Sequence, residues 1–203
     1  MSDKIIIIDY GVGNLYSVSK AVAALGAEPV ITSDEAVIAA AEKVILPGVG
    51  AFGDCMANLE KSGLIPVIRQ HMDQGKPLLG ICVGLQILFE GSEEDPGVAG
   101  LGYFKGMVKR LTTKEKIPHM GWNQLEAAKD HPLLGTVDGE YVYFVHSYAS
   151  DPEDKSIITS TCDYGQTVVA SVGRGNVQAV QFHPEKSSRA GLSLLKAFKE
   201  WQP

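Results

Sequence analysis

The sequence predicts an α/β fold: a mixed sheet with a parallel core, antiparallel extensions and helices on both faces. Two observations lead to this prediction. In the first half of the chain, short and continuously apolar segments alternate with helical segments, a pattern typical of parallel strands buried on both faces. From about Gly100 onward the apolar residues recur in short alternating runs, which favours antiparallel strands.

Strand and helix alternate throughout the first half of the chain. Each predicted strand is a short apolar run bounded by residues that favour turns. The predicted strands are residues 4–9, 28–32, 43–46 and 77–81. Glycine and proline interrupt the third helical segment at residues 63–66 (GLIP). The predicted helices are residues 14–25, 35–41, 54–74 and 84–89.

Shorter alternating segments fill most of the second half and predict antiparallel extensions of the sheet. They are residues 102–111, 140–149, 156–162, 167–172 and 177–182. A final amphipathic helix is predicted at residues 189–201, because four large apolar side chains recur there at helical spacing and would face inward. These side chains are Leu192, Leu195, Phe198 and Trp201.

Length and composition favour a single domain spanning residues 1–203. With 45% hydrophobic residues, the chain can bury one substantial core. The formal net charge is −6 and no block of lysine and arginine stands out, so we do not expect a nucleic acid partner. No apolar stretch reaches the length of a membrane span, so we expect a cytoplasmic protein with no membrane partner.

Neither a metal nor a cofactor is expected. The three cysteines, Cys55, Cys82 and Cys162, have no CxxC spacing, which indicates neither a disulfide framework nor a structural zinc site. Cys55 and Cys162 lie in a predicted helix and strand and are typical of packing positions. Residues 92–95 (SEED) predict a solvated loop, because hard cations need ligands spaced around a turn.

The most informative motif is at residues 77–86 (PLLGICVGLQ), where an apolar strand ends in Gly-x-Cys-x-Gly and a helix begins. Such a turn lifts a nucleophile above the sheet, and the flanking glycines leave room for its strained backbone. The thiol of Cys82 would also lie near the helix N-terminus, which favours the reactive thiolate. For an isolated cysteine, a buried structural thiol is the alternative.

A second motif, at residues 176–185 (NVQAVQFHPE), makes catalysis the favoured interpretation of Cys82. It predicts a strand that Pro184 ends, with a histidine and a carboxylate two residues apart. His183 and Glu185 can turn to one place, where the carboxylate orients the imidazole and the imidazole faces a thiol. Capping of the strand end without any chemistry is the alternative. The order Cys, His, Glu is that of a catalytic triad.

Loops at the carboxyl ends of parallel strands are the expected ligand sites. The loop at residues 9–14 (DYGVGN) resembles a dinucleotide-binding fingerprint only superficially, because Tyr16 occupies the place of the third glycine. The glycine-rich loop at residues 47–53 (PGVGAFG) is better suited to chemistry. An amide of its Val49–Gly50 segment and the amide of Val83 would form a two-donor oxyanion hole.

Residues 80–86 (GICVGLQ) together with 182–185 (FHPE) resemble the class I, or triad, glutamine amidotransferases, and the resemblance spans nearly the whole chain. Further strings are similar to those of one branch of that class, the glutaminase subunits of imidazole glycerol phosphate synthases. These strings are residues 9–15 (DYGVGNL), 47–52 (PGVGAF), 118–123 (PHMGWN), 143–148 (YFVHSY) and 186–187 (KS).

The resemblance implies a role for each site residue. Cys82 would attack the carboxamide carbon of glutamine, His183 would pass the proton to the departing ammonia, and Glu185 would orient His183. Glycines flank Val49, so a peptide of the oxyanion loop could reorient at little cost and act as a switch. The residues implied to hold the amino acid end of glutamine, partly through their backbone, are Gln86, His146, Ser147 and Tyr148.

The resemblance also implies a heterodimer with a separate (β/α)8-barrel cyclase. The cyclase would join the ammonia to a phosphoribulosyl-formimino nucleotide, giving imidazole glycerol phosphate and an aminoimidazole carboxamide ribotide in histidine biosynthesis. An aromatic in a short glycine-containing segment is typical of an interface anchor, although simple packing is the alternative. The residues expected to dock the partner are Pro118, His119, Met120, Gly121, Trp122 and Asn123.

Two other functions stay open from the sequence. A glutaminase subunit of the same class could serve pyridoxal phosphate, anthranilate or carbamoyl phosphate synthesis, with the same chemistry and a different acceptor enzyme. A cysteine protein of the same fold without amidotransferase activity, such as a stress protein or a chaperone-like binding module, is the second. Such a protein would not need residues 80–86 together with His183 and Glu185.

Overall fold

The computed structural model describes residues 4–127 and 130–203, and it has the mixed α/β architecture that the sequence predicts. Its strands are β1 (Lys4–Ile8), β2 (Glu28–Thr32), β3 (Val44–Gly48), β4 (Leu78–Cys82), β5 (Gly91–Ser92), β6 (Gly106–Arg110), β7 (His119–Gln124), β8 (Glu126–Ala127), β9 (Tyr141–His146), β10 (Tyr148–Pro152), β11 (Ile158–Asp163), β12 (Thr167–Arg174) and β13 (Val177–Val180). Its α-helices are α1 (Leu15–Ala24), α2 (Glu35–Ala40), α3 (Phe52–Ser62), α4 (Ile65–Asp73), α5 (Val83–Gln86) and α6 (Ser188–Glu200).

The largest sheet has eight strands in the order β2-β1-β3-β4-β13-β12-β11-β8. The first five strands in this order are parallel, and the remaining three are antiparallel additions at one edge. Every residue of β3 and β4 is buried. Continuous burial is typical of a parallel strand covered on both faces, which explains the unbroken apolar runs in the sequence.

The helices follow the signals in the sequence closely. The interruption predicted at residues 63–66 separates α3 from α4: Gly63 ends α3 in a left-handed conformation with φ 74°, and Pro66 lies in the first turn of α4. At the C-terminal end, α6 buries Leu195 and Phe198 as predicted, whereas Leu192 and Trp201 are only partly buried against the core. The predicted helix boundaries therefore hold to within a few residues, except that α5 is shorter than expected.

One predicted strand runs in the direction opposite to the one expected. Residues 177–182, predicted as an antiparallel extension, contain β13, which is parallel to β4 and pairs Val180 with Ile81. The prediction is wrong because β12 and β13 are adjacent antiparallel strands, so the chain reverses between them and β13 runs with β4. This reversal places the end of β13 beside the end of β4.

Two other predicted extensions do not join the large sheet as expected, and one observed strand is not predicted. Residues 102–111 contribute only β6, which lies between β10 and β5 in a separate three-stranded sheet. Residues 140–149 form two strands, β9 and β10, divided at Ser147, because β9 pairs with β7 while β10 pairs with β6. Residues 119–124, for which no strand is predicted, form β7 in a two-stranded sheet with β9.

Candidate active site

Cys82 ends β4 with backbone angles of φ 56° and ψ −113°, a conformation that non-glycine residues rarely adopt. The helix α5 begins at the next residue, Val83, so the chain turns from strand to helix at the cysteine. A Cβ on Gly84 would lie 2.0 Å from the carbonyl oxygen of Leu46, and a Cβ on Gly48 would lie 2.5 Å from the amide nitrogen of Gly84. Glycine is therefore required where α5 packs on β3, and this contact holds Cys82 in its strained conformation.

His183 and Glu185 lie at the end of β13, next to the cysteine. Nδ1 of His183 is 2.8 Å from Oε1 of Glu185, and the two side chains are only 2% and 1% exposed. Asn14 Nδ2 also donates to this carboxylate oxygen, at 3.2 Å. The other ring nitrogen, Nε2, is buried and has no hydrogen-bond partner within the described ranges. Cys82 is close enough to influence the protonation of His183, so Nε2 is the nitrogen left for the thiol.

The surroundings of His183 favour its protonated form. Burial lowers the pKa of His183, but the nearby Cys82 and Glu185 outweigh burial and raise the pKa to about 9. An imidazole that holds a proton at neutral pH beside a cysteine can give that proton to a leaving group. The three side chains are thus brought together with the polarity that the triad prediction requires.

A cavity of about 390 Å³ opens over Cys82 and His183. All residues predicted to bind substrate or oxyanion line it: Val49, Gly50, Val83, Gln86, His146, Ser147 and Tyr148. Residues predicted for other roles or not predicted for the site also line it: Glu94, Pro118, Val145 and Lys186. The cavity therefore joins the end of β4 to the joint between β9 and β10.

Two buried side chains donate hydrogen bonds to the glycine-rich loop at residues 47–53, which lies beside the strand-to-helix turn at Cys82. The hydroxyl of Tyr10 donates to the carbonyl of Pro47 at 2.6 Å, and the thiol of Cys55 donates to the carbonyl of Val49 at 3.3 Å. Gly50 follows with φ 92° and open space where a Cβ would lie. The Cys55 contact orients the Val49–Gly50 peptide, so reorientation of that peptide would cost a hydrogen bond.

The substrate side of the cavity is built on a shared carbonyl. The carbonyl oxygen of Tyr148 lies 2.9 Å from His146 Nδ1 and accepts from Gln86 Nε2 at 3.1 Å. Gln86 Nε2 also donates to Gln181 Oε1 at 3.1 Å, and Gln181 Nε2 lies 3.9 Å from Cys82 Sγ. Gln181 is missed by the sequence-based prediction; its signal is a polar residue two positions before His183.

The segment predicted to dock a partner alternates between two environments. Met120 and Trp122 of β7 are 60% and 51% exposed, whereas His119 is buried against the cavity wall. Tyr141, on the paired strand β9, is 55% exposed. An exposed apolar patch on one face of a two-stranded sheet is typical of an interaction surface, but His119 faces the interior.

The acidic residues 92–95 do not form the solvated loop that their charge predicts. Ser92 is buried in β5, and Glu94 Oε2 accepts from the amide of Phe52 at 2.9 Å. Asp95 Oδ2 accepts from the amide of Gly53 at 2.7 Å. The carboxylates bind the free amides that begin α3, an arrangement that favours negative charge, and Glu94 thereby reaches the cavity. Lys186, which has the opposite charge to Glu94, also lines the cavity, and its Nζ lies 5.9 Å from the ring centre of Tyr143.

Other types of site are not found in the described part of the chain. Across residues 4–127 and 130–203, no group of three His, Cys, Asp or Glu side chains could hold a metal ion. Within the same ranges, no helix is long and apolar enough to cross a membrane.

A cysteine on a strained strand-to-helix turn, with a buried His–Glu pair beside it on a mixed α/β sheet, is the arrangement expected of a triad-type cysteine nucleophile. The model of the class I glutamine amidotransferase family matches residues 6–200. The chain belongs to the class I glutamine amidotransferase family.

Two proteins with similar sequences bear the same subunit name. The chain is 53% identical over 196 residues to the imidazole glycerol phosphate synthase subunit HisH of Aquifex aeolicus, covering 96% of this chain and 95% of that protein. It is 48% identical over 205 residues to the subunit of the same name from Geobacter sulfurreducens, covering 97% and 98%.

Solved structures agree on the fold at much lower identity. A glutamine amidotransferase crystal structure aligns with a TM-score of 0.77 at 19% identity, covering 96% of this chain and 97% of the other. A structure of PurLQS from Thermotoga maritima aligns with a TM-score of 0.77 at 20% identity, covering 98% of each chain. The predicted fold class is confirmed.

Proposed function

We propose that this chain is the glutaminase subunit of an imidazole glycerol phosphate synthase, which hydrolyses glutamine and delivers ammonia to a cyclase subunit. One observation carries the proposal: Cys82 and His183 line one cavity, with Glu185 paired to His183, in a chain that is 53% identical, over 96% of its length, to a HisH subunit. The triad supports glutamine hydrolysis, and the identity supports the choice of acceptor.

The reaction begins with attack of Cys82 Sγ on the carboxamide carbon of glutamine. The carbonyl oxygen becomes an oxyanion, which the amide of Val83 and an amide of the Val49–Gly50 segment stabilise. His183 gives its proton to the departing nitrogen, so the C–N bond breaks, ammonia leaves and a glutamyl thioester remains on Cys82.

Water completes the cycle. His183, now neutral, accepts a proton from a water molecule that attacks the thioester carbon, and the C–S bond breaks to give glutamate. The proton then on His183 restores the starting pair with Cys82. Glu185 holds the imidazole through the 2.8 Å contact to Nδ1, so Nε2 faces the reaction in both half-reactions.

The amino acid end of glutamine would lie against the joint between β9 and β10. Ser147 and Tyr148 line the cavity where β9 has ended and β10 begins. Lys186 and Glu94 supply one positive and one negative charge at the same cavity, which complement the α-carboxylate and α-ammonium groups of an amino acid.

A (β/α)8-barrel cyclase would dock where Met120, Trp122 and Tyr141 are exposed. These large side chains lie on paired strands, and aromatic anchors of this kind dominate many protein interfaces. Docking there would cover the mouth of the cavity near Pro118 and give ammonia a protected route. Protection matters, because free ammonia is mostly protonated at neutral pH and then is not nucleophilic.

The test is glutamate release from glutamine by the purified chain, alone and with a matched cyclase plus its nucleotide ligand. We expect weak turnover alone, strong stimulation by the cyclase, and no turnover in Cys82→Ala. Activity that depends on Cys82 but is not stimulated by the cyclase would support the glutaminase reaction and contradict the proposed acceptor enzyme. Labelling of Cys82 by a glutamine-like electrophile that glutamine does not block would contradict the glutaminase itself.

A further inference from the structure

A line of hydrogen bonds joins the surface strand β7 to the wall of the cavity. Asn123 Nδ2 lies 3.3 Å from His119 Nε2, and His119 Nδ1 lies 3.0 Å from His146 Nε2. His146 Nδ1 lies 2.9 Å from the carbonyl oxygen of Tyr148. Three contacts thus connect a half-buried asparagine to the carbonyl on which the substrate side of the cavity is built.

The direction of every bond in this line is determined by its ends. A carbonyl oxygen only accepts, so His146 carries its proton on Nδ1 and presents Nε2 as an acceptor. His119 must then donate from Nδ1, which leaves its own Nε2 to accept from Asn123. The amide of Asn123 cannot be reversed, because it also donates to the carbonyl of Asp163 at 2.8 Å and accepts from the amide of Gln124 at 2.8 Å.

Both imidazole rings are held in surroundings that keep them neutral. His119 is stacked between Phe144 and Tyr164, with ring centres 4.6 Å and 3.9 Å away. Burial lowers the pKa of His119 to about 4, and burial is also the main cause that lowers the pKa of His146 to about 4. Neutral rings have one donor and one acceptor each, which is what a directional line requires.

The line ends where the cavity wall lacks the support of a continuous strand. Ser147 separates β9, which pairs with β7, from β10, which pairs with β6. The Tyr148 carbonyl, at the first residue of β10, meets two side-chain donors there, His146 and Gln86.

We propose that Asn123 and His119 are positioning residues of the glutamine site, which act through His146 to fix the Tyr148 carbonyl and the cavity wall at residues 146–148. The proposal rests on the proposed function, since glutamine is the ligand whose binding it affects. Without the donor from His119, His146 Nε2 is left unpaired, and the proton of His146 can shift from Nδ1 to Nε2. The unprotonated Nδ1 would then face the Tyr148 carbonyl oxygen, and both of these atoms are acceptors. That repulsion would turn the peptide and loosen glutamine binding without touching Cys82 or His183.

Kinetics of two substitutions at one position separate positioning from packing. His119→Phe keeps an aromatic ring between Phe144 and Tyr164 but removes the donor, whereas His119→Asn places an amide nitrogen near the position of Nδ1. With saturating cyclase, we expect His119→Phe to raise KM for glutamine about tenfold with kcat within about twofold of wild type. We expect His119→Asn to return KM to within about threefold of wild type.

Gln124→Ala is the matched control. Gln124 neighbours Asn123 on β7, but its side chain donates to the carbonyl of Gly139 at 2.8 Å and takes no part in the line. Its KM should be that of wild type, whereas Asn123→Ala should raise KM in the same direction as His119→Phe. An unchanged KM in His119→Phe, or a fall in kcat at constant KM, would overturn the proposal.

Nitrogen-15 NMR of the imidazole rings in the wild-type chain tests the proton positions without any variant. Both His119 and His146 should carry hydrogen on Nδ1 at neutral pH, and an Nε2-protonated form of either ring would overturn the proposal. If the wild-type chain released no glutamate, the proposed function would be contradicted. The kinetics of the His119 variants test only the positioning role, so the two proposals can fail separately.

Discussion

Two regions of the molecule meet at the cavity and are built by different means. The catalytic elbow comprises residues 44–50, 78–86 and 177–185, and its parts are neighbours in the large sheet. The small-sheet region comprises residues 106–110, 119–124 and 141–152, which pair in two separate sheets. Close backbone contacts at glycines are a feature of the first, whereas the second adds side-chain hydrogen bonds and stacked rings to its strand pairing. The proposed function places the chemistry at the elbow and the docking of the partner on the small-sheet region.

The largest effect should come from Cys82→Ala, which removes the nucleophile from the elbow. Without the thiol no thioester forms, so kcat should fall by about 10⁴-fold or more. The measurement is glutamate release with saturating cyclase. Cys162→Ala is the control, because Cys162 is buried in β11 outside both regions and should leave kcat near wild type. Comparable losses in the two variants would remove Cys82 from its proposed role.

Glu185→Gln should have the next largest effect and should act through pH. Burial lowers the pKa of His183, while Cys82 and Glu185 raise it to about 9, so replacing the carboxylate by an amide lowers this pKa. The imidazolium then loses its proton at lower pH, and the basic limb of kcat/KM against pH should move to lower pH. At pH 8 we expect kcat to drop about 10²-fold.

Asn14→Ala is a smaller change at the same carboxylate, to be compared with Glu185→Gln. It removes only the 3.2 Å hydrogen bond to the Glu185 carboxylate and leaves the charge in place. The basic limb should therefore move less than in Glu185→Gln. A limb that stays fixed in Glu185→Gln would mean that the carboxylate does not control His183.

The elbow could be predicted from sequence because its signals are local. A strand, a Gly-x-Cys-x-Gly turn and a helix are contiguous, and a histidine and a carboxylate two residues apart across Pro184 predict an imidazole that faces the Cys82 thiol. Only the direction of β13 is wrong, because a strand's neighbours depend on the whole sheet order and its own pattern carries no direction.

The small-sheet region could not be predicted to the same depth. β6 and β10 pair across about 40 residues of chain, and no local pattern shows that residues 140–149 divide at Ser147 between two partners. The link between His119 and His146 depends on the pairing of β7 with β9, which sets these two residues opposite each other. In the sequence, the residues around either histidine give no indication that the other lies next to it.

A smaller effect, on binding alone, is expected for Trp122→Ala in the small-sheet region. Half of Trp122 is exposed and its ring lies edge-on to Tyr143, so truncation removes an anchor without opening the core. Affinity for the cyclase should fall by about 30-fold, as for a typical interface hot spot, while basal glutaminase activity is unchanged. Calorimetric titration measures the affinity. Val37→Ala, an exposed apolar residue on α2, should bind normally; equal losses in both variants would contradict docking at β7.

The smallest effect is expected outside both regions, at Asp34. Its carboxylate caps α2 by accepting from the amides of Ala36 and Val37, so Asp34→Ala should lower the free energy of unfolding by about 1 kcal/mol. Because α2 does not line the cavity, kcat, KM and cyclase affinity should all stay at wild-type values. Denaturant unfolding measures the loss, and Asp34→Asn, which keeps a capping oxygen, should recover most of it. A fall in kcat that accompanies this loss would show that the elbow responds to global stability, and the division between chemistry and binding would then need a different physical basis.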